Sequence, residues 1–168
     1  MCVCSELSLC ASLSLSLSLR IGASSSLIRN NEEALHKFTS AGGADALIAA
    51  AAQLTATQGG ASRARTKAMH LVRHIASESE EVRTALRGGS TAELPEKLIR
   101  LVRAGLSSDN VNEKEAALML ITSLASEICA APGADLVRNA LKDLRESSDD
   151  NDEDFVAMVT AASTALGS

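Results

Sequence analysis

A three-helix pattern occurs twice in this 168-residue chain, over residues 31–77 and again over 79–126. Each copy opens on a glutamate pair, Glu32-Glu33 and then Glu80-Glu81. Each runs to a glycine pair, Gly42-Gly43 and then Gly88-Gly89, and continues into a short apolar helix and a longer third one. The third helices superpose: Ala68, Leu71, Val72 and Ile75 fall on Ala117, Leu120, Ile121 and Leu124. From 42 to 88 the glycines are 46 residues apart, and from 68 to 117 the third helices are 49 apart. A unit of this kind cannot bury its apolar side alone and must stack on its neighbour. Stacked third helices line a concave surface, which suits gripping another protein better than housing a reaction.

The local signals agree with the repeat. Asn31 stands at an N-cap position with Glu32 and Glu33 in the dipole-favoured first turn. Ala34, Leu35 and Phe38 form the apolar side of that short helix, and Gly42 stops it. Asp45–Leu54 reads as a second helix burying Leu47, Ile48, Ala51 and Leu54, and 62–76 as the third. In the second copy Ser79 caps a helix carrying Val82, Ala85 and Leu86. Pro95 fits the first turn of a helix whose core side is Leu98, Ile99, Leu101 and Val102. Asn110 caps a third helix expected to run to about Ser126. Beyond Pro132-Gly133, 134–145 is amphipathic through Leu136, Val137, Leu141 and Leu144. An acidic loop, 146–154, and a last helix, 155–166, follow. The period lies close to the roughly 40–47 residues of armadillo units. The expected fold is therefore all-α: an armadillo-type superhelical solenoid of about two repeats, 31–77 and 79–126, plus C-terminal capping helices over 133–166. The helical domain spans 24–166, with 24–29 as the last turns of a preceding third helix.

Composition narrows the function classes. The chain is 46% hydrophobic but 1% aromatic, with two Phe and neither Trp nor Tyr. Small aliphatic side chains let helices approach closely, whereas no ring is available to stack on bases. The net charge of −5 gives phosphate binding no global support, so neither nucleic acid nor membrane is expected as a partner. Of four cysteines, Cys2, Cys4 and Cys10 crowd the first ten residues and Cys129 follows a helix; no CxxC occurs, and incidental thiols are expected.

Residues 1–23 stand apart from this pattern. Leu13 to Leu19 alternate strictly with serine. Three readings are open. The run is a disordered tail or a translated thymine–cytosine repeat at a gene-model boundary, or a signal-like or transit-like segment, or a structured strand or helix. Glu6 and the absence of Lys or Arg before the apolar run speak against a secretory signal, and the run is too short and Ser-rich to span a bilayer. The expected compartment is the cytoplasm, with the endoplasmic-reticulum lumen as the alternative if this segment is a true signal.

The third helices carry stripes opposite their core sides. In the first copy Arg63, Lys67, His70 and His74 recur at helical spacing with Arg73 beside them. In the second the equivalent line is Asn112, Glu115, Met119, Thr122 and Ser126. A basic ridge next to a mixed one is a plausible protein-docking face. It is equally what the solvated side of two amphipathic helices looks like.

Sites for chemistry are not legible. His70 and His74 have the one-turn spacing of metal ligands, but no HExxH glutamate and no third ligand accompanies them, so no metal or cofactor is expected. The glycine pairs lack the lysine of a phosphate loop, and no GxSxG, SxxK or Cys/His signature occurs. The acidic run 149–154 lacks the oxygen spacing, central Gly and terminal Glu of a calcium loop and reads as solvated. The chain is not expected to be an enzyme.

The order of motifs resembles a known family. Ser25-Ser26-Leu27-Ile28-Arg29-Asn30-Asn31, the helix to Phe38, and Ala41-Gly42-Gly43 look like the middle armadillo repeats of the HspBP/Fes/Sil group. These are nucleotide exchange factors for the 70-kDa heat-shock chaperones. Lys67-Ala68 followed by Leu71-Val72 resembles the family's third-helix motif, and Glu115-x-x-Leu118 with Ser123-Leu124 that of the next repeat. The closing helix, acidic loop and last helix resemble its C-terminal cap. The resemblance covers about 24–166. It implies a monomeric co-chaperone whose concave face wraps lobe II of the chaperone ATPase domain and loosens ADP by clash with lobe I. Arg63, Lys67, His70, Arg73, Glu115 and Met119 are the contacts expected from helix geometry, and the motif itself supports Lys67 and Glu115. About two repeats of the family's four are visible. A generic armadillo scaffold is one alternative, although Arg63 stands where an asparagine ladder would need a partner for Asn112. An inactive fragment with an open apolar end at Leu27 and Ile28 is another.

Overall fold

The structure, a computed structural model, describes residues 21–28, 31–54, 60–88, 93–147 and 152–167. The Ser-Leu run before residue 21 lies outside them, as do the three readings made of it. Every regular element among the described residues is a helix. Residues 21–28 form α1. It is followed by α2 (Glu32–Ser40), α3 (Gly43–Ala52), α4 (Ala61–Glu78), α5 (Glu80–Leu86) and α6 (Glu93–Leu106). The chain closes with α7 (Val111–Ser123), α8 (Ala125–Ala130), α9 (Ala134–Ser147) and α10 (Glu153–Ala165).

The expected caps are present. The Asn31, Ser79 and Asn110 side chains accept hydrogen bonds from the backbone N–H of Ala34, Val82 and Glu113, each satisfying an orphan donor at a helix start. The glycine pair at the end of α2 divides its work. Gly42 takes φ +74°, a left-handed conformation that other residues rarely adopt. At Gly43 a Cβ would meet the Phe38 ring at 2.6 Å, so the ring rests on the bare glycine and would have to shift for any larger residue.

The core follows the sequence register. Ala68, Leu71, Val72, Ile75, Ala117, Leu120, Ile121 and Leu124 are all buried. So are Leu47, Ile48, Ala51, Leu98, Ile99, Leu101 and Val102, joined into one cluster. The helices pack in two successions. The second helices run α3 on α6 on α9, and the third helices run α4 on α7 on α10, with each second helix also packed on the third helix of its own unit.

Five expectations change. Leu54, expected to be buried on the second helix, lies beyond the end of α3 and is only partly buried. The helix begun at Asn110 does not run to Ser126. It breaks at Leu124 (φ −119°, ψ 32°), whose side chain stays buried, and restarts as α8. The last helix starts at Glu153 rather than 155, since the Asp152 side chain caps it by accepting from the Phe155 N–H. Leu136 is 46% exposed, so α9 buries only Ala134, Val137, Leu141 and Leu144. Of the two residues expected at an open apolar end, Ile28 is buried and Leu27 is 69% exposed.

The break at Leu124 changes the meaning of the C-terminal helices. With α8 separated, α8, α9 and α10 have 6, 14 and 13 residues, close to the 7, 14 and 13 of α5, α6 and α7, and α8 packs on both α5 and α9. Val159, Ala162 and Leu166 are buried at the same spacing as Ala68, Leu71 and Ile75 and as Ala117, Leu120 and Leu124. The segment expected as a cap continues both helix successions, α9 on α6 and α10 on α7.

Candidate protein-docking surface

The exposed side of α4 is opposite a face of small and branched residues. Ala61, Ala64, Ala68, Met69, Leu71, Val72 and Ile75 turn inward, which leaves Arg63 and Lys67 exposed and His70, Arg73 and His74 half-buried. On α7 the inward set is Glu113, Ala116, Ala117, Leu118, Leu120 and Ile121. That leaves Asn112, Met119 and Thr122 exposed and Glu115 half-buried, while the Thr122 hydroxyl is turned back on the Leu118 carbonyl at 2.9 Å. Because α4 packs directly on α7, the two lines of side chains stand on adjacent helices of one layer.

Not all of these residues converge. His70, Arg73 and His74 line one crevice of about 310 Å³ with Ser77, Arg83, Ser123 and Leu124. Lys67 and His70 also border a second hollow, closed on its far side by Ile21 and Ser25 of α1. Arg63, Asn112, Glu115, Met119 and Thr122 line neither of these two hollows, and all but Glu115 are exposed.

Beneath this face lie two buried carboxylates that the sequence reading missed. Glu113 of α7 receives the Arg65 Nε of α4 and, at its other oxygen, the Ser108 hydroxyl at 2.7 Å. Arg65 also donates through Nη1 to the Leu54 carbonyl at 2.9 Å. Glu127 of α8 receives Arg87 Nη2 at 2.8 Å and the Ser126 hydroxyl at 2.7 Å, with Arg83 Nε 3.7 Å away. Arg87 in turn holds Glu80 at 3.0 Å. The sequence carried a signal for the first pair: Arg65 falls three and four residues from Ala61, Ala68 and Met69, in the middle of an apolar stripe. For Arg83 and Glu127 no comparable signal exists.

Burial alone would raise the Glu127 carboxyl. The Ser126 hydroxyl, its own backbone N–H and the charges of Arg83 and Arg87 outweigh that, and the group sits below its ordinary range. It is therefore ionised at neutral pH and holds the two arginines in place.

On the α2 and α5 side a wider groove is lined by Glu32, Glu33, Glu78, Glu80 and Glu81 with Leu35, His36, Thr39 and Ser79. The repeated glutamate pairs thus share one acidic face, separate from the basic line on α4. Among the described residues no group of three His, Cys, Asp or Glu is placed to hold a metal, and no helix is long and apolar enough to cross a membrane. Compared with known proteins, the chain matches no family model, no curated protein and no solved structure.

Proposed function

We propose that this chain is an armadillo-type docking module acting as a co-chaperone. It binds the ATPase domain of a 70-kDa heat-shock protein and promotes ADP release by steric means. The observation that carries the docking reading is the direct packing of α4 on α7, which places the basic stripe and the mixed stripe side by side. In an armadillo-type solenoid the third helices of successive units line the concave face, and the succession of α4 on α7 on α10 supports reading them as those helices. The chaperone as partner rests on the motif resemblance around Lys67-Ala68, Leu71-Val72 and Glu115-x-x-Leu118. Arg63, Lys67, His70 and Arg73 supply positive charge toward acidic side chains, and Met119 supplies adaptable apolar contact.

Two measurements test this in sequence. Calorimetric titration of a 70-kDa chaperone ATPase domain into the chain reads binding. Release of fluorescent ADP from that domain, with and without the chain, reads exchange. Binding with accelerated release is the expected result. Binding without acceleration would reduce the protein to a docking module for this partner, and absence of binding would remove the chaperone from the reading.

A further inference from the structure

The crevice between α4, α5 and α7 has more positive charge than its surroundings use. Arg73 is half-buried and makes no ion pair or hydrogen bond among the described residues. Arg83 enters from α5 and donates Nη2 to the Ser123 carbonyl at 3.2 Å. Its Nε is 3.7 Å from Glu127, within charge range but beyond hydrogen-bond reach, and is a buried donor without an acceptor. The Ser123 and Ser77 hydroxyls are turned to the Met119 and His74 carbonyls, so neither supplies an anion of its own. His70 and His74, one turn apart, form the remaining wall.

The charge balance sets the kind of ligand. Of the residues that line the crevice Arg73 and Arg83 are cationic, and buried Glu127 behind Arg83 offsets one of them, which leaves one positive charge. The Arg87–Glu80 pair and exposed Glu78 lie outside the lining, and Glu80 and Glu78 face the groove on the α2 and α5 side. A single positive charge with forked donors matches one carboxylate, whereas a doubly charged phosphate would remain undercompensated.

We propose that this crevice is an anchor for one carboxylate side chain, an Asp or Glu of a partner protein, gripped by Arg73 and Arg83. The anchor rests on the reading of this face as a protein-docking surface and names the chemistry of its central contact. Arg83, which the stripe on α4 does not include, is part of it, and Glu127 acts as the buried post that aims Arg83.

The test uses arginine side-chain NMR of the whole chain titrated with blocked peptides of sequence Gly-Ser-X-Ser-Gly, where X is Glu, Gln or phosphoserine. The Nε–H signals of Arg73 and Arg83 are expected to shift with the Glu peptide and not with the Gln peptide. Arg73→Gln is expected to weaken that binding about tenfold, and Arg100→Gln on α6 to leave it unchanged. Arg83→Gln is expected to act similarly, with its melting temperature recorded because it also touches Glu127. Equal shifts with the Gln peptide, tighter binding of the phosphoserine peptide than the Glu peptide, or full binding by Arg73→Gln would each overturn the anchor. Loss of chaperone binding in the calorimeter with these shifts intact would sink the co-chaperone reading alone and support the anchor.

Discussion

Arg65 and Glu113, 48 residues apart, form a fully buried ion pair that ties α4 to α7. Their separation is close to one repeat, so the pair fixes the register in which one unit stacks on the next. Both ends are also hydrogen-bonded, Arg65 to the Leu54 carbonyl and Glu113 to the Ser108 hydroxyl, which is the condition for tolerating buried charge.

Removing one member of that pair is expected to be worse than removing both. Glu113→Leu or Arg65→Met leaves an uncompensated buried charge, at a cost of about 3–5 kcal/mol. The double variant Arg65→Met with Glu113→Leu is expected to recover more than half of the loss. Urea unfolding of the three variants reads this directly, and additive losses in the double variant would mean that the two groups do not act as a pair.

Close helix approach makes a second, independent prediction. A Cβ at Gly105 would lie 2.8 Å from the Ala117 Cβ and 3.2 Å from the Met69 Sδ, so α6 and α7 touch there through a missing methyl group. Gly105→Ala is expected to destabilise by about 1–3 kcal/mol through overpacking, despite the better helix propensity of alanine. Adding Ala117→Gly should restore part of the midpoint in a urea titration. A neutral or stabilising single variant would contradict the packing described.

The stability of the α5–α8 junction is expected to depend on pH. Glu127 sits below its ordinary value of 4.5 when folded, so its contribution is fully present above that value. As pH falls through the lowered folded value, the carboxylate is protonated and the contribution is lost. Glu127→Gln should therefore melt below the wild type at pH 7, and the two melting temperatures should converge as the pH is taken progressively below the ordinary carboxylate value of 4.5. Parallel melting curves across that range would show that the ion pairs with Arg83 and Arg87 do not contribute.

Docking should respond to charge without any change of fold. Lys67 and Arg63 are exposed, so reversal to Glu leaves the helix content by circular dichroism intact. It is expected to weaken association with the chaperone ATPase domain about tenfold and to flatten its salt dependence. Met119→Ala should have a smaller effect that does not vary with salt. Unchanged binding by both charge reversals would place the partner on another face, of which the acidic groove between α2 and α5 is the next to examine.

Helix starts, stops and buried sides were readable from local chemistry. Asn31, Ser79 and Asn110 cap because their side chains reach a backbone N–H three residues on, and that geometry needs no partner elsewhere. The spacing of Leu71, Ile75, Leu120 and Leu124 names the inward face for the same reason, since a helix fixes the direction of every side chain on it. The candidate stripe on α4 followed from that geometry in reverse.

Contacts between units depended on how helices some forty residues apart slide against each other. Nothing local separates Arg83, which turns into a crevice beside Arg73, from a solvated arginine of a short helix. Leu124 fits a continuous helix by periodicity, yet the helix breaks there and restarts as α8, which packs on α5 and α9. The chain alone therefore determined which residues are helical and which sides are apolar, because those are properties of one turn of backbone. Only the tertiary structure decided which charges are buried and which cations share a crevice, because those are set by distances between helices.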